Sequence, residues 1–339
     1  MLLFKIESMK VNFFFVITFL ILSIGFSQTS YKMDRHIKPE NLRIGDTISI
    51  IAPSGVLKDY EEYMQKSISL MESWGLNVVL GSTIYESYGH FSSTDINREK
   101  DFQDAIDDNK IKAIWCARGG YGAMRIIDNI NYDNLLKNPK WVVGYSDITA
   151  IHNDIHNLGV ESLHGVMCKS LEDISVDDDS INKLKDILFE EGELEYIIEG
   201  HEYNIIGEAS GKLVGGNLTL LQSLLQSKSS IDTTNKIIFI EDVGEYLYHI
   251  DRMLHSLKRA DYFSKCSGLI VGDFTDIKKN ETKFGKNLYE IINEIVEDYN
   301  FPVMYGFPAG HGQQNLPLIF GRNVQISVSE NISEIRFSN

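Results

Sequence analysis

The sequence predicts an α/β fold in two domains, an N-terminal domain with a parallel sheet and a smaller C-terminal α/β domain. Short β-branched apolar runs alternate with stretches of helical periodicity over 44–170, and the same alternation returns over 205–339. About 310 residues follow the first thirty, more than one hydrophobic core usually organises. A hydrophobic content of 43% indicates a globular chain.

The N-terminal domain, 44–170, is expected to contain repeated strand–helix units. Apolar runs predict strands over 47–52, 77–80, 113–117 and 142–145. Helical spacing of apolar residues predicts helices over 57–74, 96–106, 124–130 and 148–158. Units of this length form parallel sheets, in which ligands bind beyond the carboxyl ends of the strands.

The C-terminal domain, 205–339, follows an acidic segment at 171–204. We expect that segment to be a solvated linker with one helix over 181–189. The C-terminal domain is predicted to have helices over 218–225, 246–260 and 288–299. Its predicted strands are 236–240, 269–272, 303–306, 325–328 and 334–337.

The N-terminus has the layout of a secretory signal peptide over 1–27. Lys5 and Lys10 precede an apolar run at 13–24, and small residues, Gly25 and Ser27, precede a cut before Gln28. The run is shorter than the roughly 20 residues of a membrane-spanning helix. We therefore expect a periplasmic or secreted protein without a stable membrane anchor, an uncleaved anchor being the alternative.

Charge and cysteine content exclude several classes of protein. A formal net charge of -16, with no basic cluster, argues against a nucleic-acid partner. Cys116, Cys168 and Cys266 are odd in number and widely spaced, so they predict neither a zinc site nor a disulfide framework.

A candidate nucleophile, Ser146, lies where an apolar strand passes directly into a helix. In such a turn the hydroxyl stands beside the unpaired N–H groups of a helix N-terminus, which can stabilise an oxyanion. The turn departs from the G-x-S-x-G pattern, because Ile148 stands in place of the second glycine. Ser146 also needs a base and a group that orients that base.

His311 is the best-placed candidate base, since it lies between two glycines directly after an apolar strand. A hydrated surface histidine is the alternative. His152 and His156 have a metal-ligand spacing but lack the glutamate of H-E-x-x-H, and we expect them to be helix-surface residues. His249 and His255 lie in an amphipathic helix.

Glu241 ends the most hydrophobic strand of the C-terminal domain. A carboxylate in that position either caps the following segment or orients a catalytic base, and the spacing leaves both open. Asp242 and Glu245 compete with it for either role.

A glycine turn follows the strand at 113–117. It lacks the spacing of the G-x-G-x-x-G fingerprint, which argues against dinucleotide binding. Gly119 and Gly120 can instead bring backbone N–H groups close to a substrate oxygen. Arg118 can bind a substrate carboxylate or form a structural ion pair, and the sequence favours neither.

Six short motifs together resemble the LD-carboxypeptidase family of serine peptidases, which also includes microcin C self-immunity peptidases. The resemblance covers about 44–326 and rests on Ala52-Pro53-Ser54-Gly55, Ala117-Arg118-Gly119-Gly120-Tyr121-Gly122, Val143-Gly144-Tyr145-Ser146-Asp147, Gly215-Gly216-Asn217-Leu218, Ile240-Glu241-Asp242-Val243 and Gly310-His311-Gly312.

The resemblance implies a nucleotide-binding-like N-terminal domain that carries the serine of a Ser146–Glu241–His311 triad. The oxyanion hole would be formed by the N–H of Asp147 and one from Gly119–Gly120. It implies D-alanine release from murein tetrapeptides, no metal or cofactor, and a homodimer. Peptidyl-nucleotide cleavage is the alternative within the family, and a periplasmic solute-binding protein is the alternative outside it.

Overall fold

The computed structural model describes residues 36–190 and 192–338. The predicted signal peptide, 1–27, lies outside the described residues. Within the described part of the chain, no helix is both long enough and apolar enough to cross a membrane.

The described chain contains strands and helices that alternate along most of its length. The strands are β1 (Thr47–Ile51), β2 (Asn77–Leu80), β3 (Ile111–Cys116), β4 (Trp141–Gly144), β5 (Ser162–His164), β6 (Glu195–Glu199), β7 (Gly207–Asn217), β8 (Lys236–Val243), β9 (Gly268–Thr275), β10 (Val303–Tyr305), β11 (Leu318–Phe320), β12 (Asn323–Val328) and β13 (Ile332–Phe337). The helices are α1 (Glu61–Ser73), α2 (Asp95–Asp107), α3 (Asp133–Lys137), α4 (Thr149–Asn157), α5 (Asp179–Phe189), α6 (Leu218–Ser223), α7 (Leu247–Arg259) and α8 (Leu288–Val296).

The first sheet has six strands in the order β11-β5-β4-β3-β1-β2. The pairs among β1 to β5 are parallel, as the strand–helix alternation predicts, and β11 pairs antiparallel with β5. Because β11 comes from the C-terminal part of the chain, that part completes the edge of the sheet that carries Ser146.

The second sheet has seven strands in the order β10-β9-β8-β7-β12-β13-β6. Strands β7, β8, β9 and β10 form a parallel half, and β12, β13 and β6 form an antiparallel half. The carboxyl end of β8 carries Glu241, beside the end of β9. Both parts of the chain are therefore α/β, as predicted.

The acidic segment 171–204, which the sequence predicts to be a linker, contributes a strand to the second sheet and apolar side chains to the core. Its helix, α5, buries Ile181, Leu184 and Leu188, and its strand β6 pairs with β13. In the sequence, the apolar residues that form the buried face are interspersed among the acidic ones. The charge of the segment therefore obscures its apolar pattern.

Two predicted helices differ from the observed ones. The helix expected over 57–74 begins at Glu61, and Leu57 packs in the core ahead of it. The helix expected over 124–130 is replaced by two short 3-10 turns, Ala123–Arg125 and Ile127–Asn129. The first begins after Gly122, whose φ of 145° is not helical, and the side chain of Asp147 accepts a hydrogen bond from the N–H of Ala123.

One hydrophobic cluster contains residues of both sheets. Trp115 and Val143 of the first sheet and Phe239 and Ile270 of the second belong to it, and all four are fully buried. The two sheets therefore pack against a common core, which fixes the positions of their strand ends relative to each other.

A buried ion pair joins the two parts of the chain. Arg322, which follows β11, donates hydrogen bonds to Glu161, with its Nη2 2.6 Å from Oε2 and its Nε 3.0 Å from Oε1. The Glu161 side chain is fully buried, and that of Arg322 is 10% exposed. His36 also contacts Glu161, with Nε2 2.6 Å from Oε1.

We expect Arg322→Met to lower the free energy of unfolding by about 3–5 kcal/mol, because it leaves a buried carboxylate without its main partner. Urea unfolding followed by circular dichroism measures this. Arg336→Met is the matched control, since Arg336 pairs with Glu195 and Glu334 at the surface and its loss should change stability little. Equal stability of the two variants would contradict the assignment.

Candidate active site

Ser146 lies on a sharp turn between β4 and α4. Its φ is 63°, in the left-handed region that few residues other than glycine adopt. Gly144 permits the turn, because a Cβ there would stand 2.9 Å from Cγ1 of Ile148. The turn holds the half-buried serine in a strained, defined orientation, which is typical of nucleophile turns.

The glycine turn after β3 lies against Ser146. A Cβ at Gly119 would stand 3.0 Å from the Cβ of Ser146, 3.2 Å from its Oγ and 3.4 Å from the backbone N of Asp147. Gly120 has a φ of 98°, so both glycines are needed for the approach. The backbone of this turn therefore lies where an oxyanion formed at Ser146 would be bound.

We expect Gly119→Ala to lower kcat about a hundredfold while changing stability little, because the new methyl group displaces the Ser146 side chain. Steady-state kinetics and thermal unfolding measure the two effects. Gly165→Ala is the matched control, since its methyl group would meet Pro317 at an ordinary contact distance of 3.4 Å. Similar activity of both variants would refute the role of Gly119.

The side chain of Asp147 ties three of the sequence motifs together. Its Oδ2 accepts hydrogen bonds from Oγ of Ser54, at 2.6 Å, and from the N–H of Ala123, at 2.8 Å. Burial raises the pKa of this carboxyl group. The sequence predicted only a backbone role for Asp147. Its side chain adds an anchor between the loops at 52–55 and 118–122.

Glu241 and His311 form a hydrogen-bonded pair at the carboxyl end of the second sheet. Nδ1 of His311 lies 2.7 Å from Oε2 of the fully buried Glu241. Burial lowers the pKa of His311, but the charge and hydrogen bond of Glu241 raise it, and the net shift is upward. With Nδ1–H donated to the carboxylate, Nε2 is the nitrogen available as a base.

The two carboxylates that the sequence offered as alternatives to Glu241 have other partners. Asp242 accepts hydrogen bonds from Nδ2 of Asn217, at 3.0 Å, and from N and Oγ1 of Thr219, at 3.0 and 2.9 Å. Burial raises its pKa to about 6. Glu245 binds His249 one helical turn further along. The spacing in the sequence left open which of these carboxylates orients the histidine. In the structure, Glu241 is the carboxylate that binds His311.

The serine turn and the histidine loop lie side by side. The ring of Tyr145, directly before Ser146, lies against the ring of His311, with 4.9 Å between their centroids. A second contact joins helix α4, which follows the serine turn, to the end of β7: the N–H of Asn217 donates a hydrogen bond to Oγ1 of Thr149 at 3.0 Å. The structure therefore brings Ser146, Glu241 and His311 to one place, where the two sheets meet.

Arg118 lies beside the glycine turn and points toward the loop at 52–56. Its Nη1 donates a hydrogen bond to the carbonyl of Val56. Among the residues that the structure describes, Arg118 forms no ion pair with a carboxylate, so the structural alternative for this residue lacks a partner there. A half-buried guanidinium one residue from Gly119 can bind a substrate carboxylate.

His152 and His156 are not helix-surface residues, and that expectation was wrong. His152 is fully buried, with Nε2 2.8 Å from the carbonyl of Gly144 and Nδ1 2.8 Å from Oγ of Ser162, and burial lowers its pKa to about 4. His156 is 9% exposed, and its Nε2 lies 3.0 Å from Nζ of Lys236. Helix α4 is buried between the two sheets, which a single-helix pattern does not reveal.

The fold and this constellation define a hydrolase with a serine nucleophile turn. The chain matches the family model for the LD-carboxypeptidase N-terminal domain over 48–165 and that for the C-terminal domain over 210–326. It is 33% identical over 305 residues to the probable murein peptide carboxypeptidase of Bacillus subtilis, an alignment that covers 88% of this chain and 94% of that protein. The chain therefore belongs to the LD-carboxypeptidase family, and it is a serine-type carboxypeptidase.

Other similar proteins agree with the family. The murein tetrapeptide carboxypeptidase of Pseudomonas aeruginosa is 25% identical over 291 residues, 82% of this chain and 92% of that protein. The crystal structure of muramoyltetrapeptide carboxypeptidase from Oxalobacter formigenes has a TM-score of 0.77 at 24% identity and covers 86% of this chain and 99% of that one. A microcin C7 self-immunity protein, MccF, has a TM-score of 0.79 at 22% identity and covers 88% and 98%. At these sequence identities, the similarity to the solved structures shows the fold alone.

Proposed function

We propose that this protein is an LD-carboxypeptidase that removes the terminal D-alanine from murein tetrapeptides by acyl transfer to Ser146. The observation that carries the proposal is the buried Glu241–His311 pair, 2.7 Å between Oε2 and Nδ1, beside the strained serine turn. The names of the relatives in Bacillus subtilis and Pseudomonas aeruginosa support the murein peptide as substrate.

The proposed reaction begins when Nε2 of His311 takes the proton of the Ser146 hydroxyl. The alkoxide attacks the carbonyl at the L-centre of the third residue, and the oxyanion is bound by N–H groups of Asp147 and the Gly119–Gly120 turn. The C–N bond then breaks, D-alanine leaves with the proton from His311, and a water molecule hydrolyses the ester. Glu241 stabilises the imidazolium in both halves of the reaction.

We assign Arg118 the free carboxylate of the terminal D-alanine. A carboxypeptidase must recognise that group, and a guanidinium can bind it with two parallel hydrogen bonds. The position next to Gly119 supports this role, since the leaving D-alanine must lie close to the oxyanion turn. Amidation of the substrate's C-terminus is then expected to impair cleavage mainly through KM.

The test is release of D-alanine from a murein tetrapeptide by the purified protein, followed with a D-amino-acid oxidase assay. We expect turnover in the presence of EDTA, because the proposed steps use side chains and water alone. A glutamyl sulfamoyl nucleotide is assayed in parallel. Cleavage of that compound without cleavage of the tetrapeptide would overturn the substrate and favour the immunity-type activity.

We also propose that the protein is exported and acts as a homodimer. Residues 1–27, the predicted signal peptide, support export, and the family resemblance supports the dimer. Cell fractionation with N-terminal sequencing should find a periplasmic or secreted chain that begins at Gln28. Light scattering should give twice the chain mass. A cytoplasmic chain that retains residues 1–27, or a monomer, would refute the respective proposal.

A further inference from the structure

The turn that carries His311 rests on a second carboxylate besides Glu241. Asp273 lies near the carboxyl end of β9, next to the end of β8 that carries Glu241. Its backbone N–H donates a hydrogen bond of 2.9 Å to the carbonyl of Ala309, two residues before His311. Oγ1 of Thr275 also donates, at 3.3 Å, to the carbonyl of His311. Strand β9 thus holds the turn on both sides of the histidine.

The two glycines that flank His311 are explained by the two carboxylates. A Cβ at Gly310 would stand 2.9 Å from Oε2 of Glu241, and one at Gly312 would stand 2.3 Å from Oδ2 of Asp273. Gly310 also has a φ of 129°, whereas Gly312 has no left-handed backbone. Gly312 is therefore required by packing alone, and the group it packs against is the carboxylate of Asp273.

The electrostatic surroundings couple Asp273 to the same histidine. The charged groups that face Asp273 are Glu241 from β8 and His311 from the turn. The charge of Asp242, also from β8, acts on His311 as well. Burial raises the pKa of Asp273 to about 6, and the charge of Glu241 adds to the rise. The N–H of Gly312 and the charge of His311 oppose it.

We propose that Asp273 is a positioning residue for His311. It holds the Gly310–Gly312 turn against the end of β9, so that Nδ1 stays on Glu241 and Nε2 stays toward Ser146. It also adds a second negative charge near the imidazolium that forms during acyl transfer. This inference rests on the proposed serine–histidine chemistry of the same site and assigns a residue that the Ser146–Glu241–His311 triad does not include.

The test compares Asp273→Asn with the matched control Asp276→Asn. Asp276 lies three residues further along, is exposed, and has a φ of 51°, which asparagine tolerates well. Each variant removes one carboxylate. We expect Asp273→Asn to lower kcat about ten- to a hundredfold with little change in KM, and the control to leave both unchanged.

Two readouts separate positioning from a merely structural role. Loss of the Asp273 charge lowers the pKa of His311, so the acid limb of kcat/KM should move to lower pH. The same shift should appear in NMR titration of the His311 side chain, assigned with His311→Gln. That titration needs no substrate, so an inactive wild type would refute the proposed function and leave this inference testable.

Gly312→Ala provides an independent check in a chain that keeps Asp273. Its methyl group forces the carboxylate away, and it should lower kcat as Asp273→Asn does. In an Asp273→Ala background the same change should cost much less, since the conflict is gone. Additive effects of the two substitutions, or a His311 pKa in Asp273→Asn equal to that in Asp276→Asn, would overturn the proposal.

Discussion

Replacement of Ser146 by alanine is expected to lower kcat for tetrapeptide cleavage by about four to six orders of magnitude. Oγ is the only non-hydrogen atom lost, so the turn, the oxyanion hole and the Glu241–His311 pair remain. Without the hydroxyl no acyl-enzyme forms, and only binding and electrostatic stabilisation of direct water attack remain. Stopped D-alanine assays with the tetrapeptide at saturation measure the loss.

Two further variants show that the loss is chemical. Ser69→Ala removes an exposed hydroxyl from helix α1 and should leave kcat unchanged. Ser146→Gly should be as inactive as Ser146→Ala but at least as stable as the wild type, because glycine relieves the strain of the left-handed φ, about 1 kcal/mol. Ser146→Ala with more than a tenth of the wild-type kcat would contradict a nucleophilic role.

Glu241→Gln is expected to lower kcat by about three to four orders of magnitude. The amide keeps the shape of the side chain but removes the buried charge that faces the imidazolium. It can also present an N–H group to Nδ1 of His311, which would favour the wrong tautomer. The effect is measured as kcat under saturating tetrapeptide.

The pH dependence of kcat/KM shows whether the charge of Glu241 raises or lowers the pKa of His311. In the wild type, burial lowers the pKa of His311, but the charge and hydrogen bond of Glu241, with the charges of Asp242 and Asp273, raise it above its usual value. Without that charge burial dominates, the imidazole loses its proton at lower pH, and the acid limb of kcat/KM should move down. Glu245→Gln is the matched control, because Glu245 also binds a histidine, His249, and should leave the limb in place. An unmoved limb in Glu241→Gln would contradict the assignment.

The parts of the fold that the sequence predicted are those with strong local patterns. β1, β3 and β4 are apolar runs of four to six residues, and α7 and α8 have continuous apolar faces. β5 and β11 have three residues each and were missed, although β10, which is equally short, was predicted. β11 also depends on a partner more than 150 residues away in sequence, which no local pattern encodes.

In the candidate site, too, local patterns predicted some features and tertiary contacts determine the others. Ser146, Glu241 and His311 each lie at the carboxyl end of an apolar strand or in the turn after one, so their places could be predicted from the sequence. The spacing alone left Glu241, Asp242 and Glu245 open, and only the family resemblance implied Glu241. The hydrogen bond between Glu241 and His311 forms because β8 and the turn at 310–312 pack together, which no local pattern encodes. The side-chain role of Asp147 and the packing of Asp273 on Gly312 likewise arise only from tertiary contacts.

The measurement that tests the central claim most directly is rapid-quench mass spectrometry of the enzyme during turnover of a murein tetrapeptide. We expect a transient mass increase equal to the tripeptidyl acyl group, located by proteolysis on the peptide that contains Ser146, with one D-alanine released per adduct. D-alanine release in a burst-free time course, with no adduct on Ser146 or with an adduct on another residue, would contradict acyl transfer to this serine.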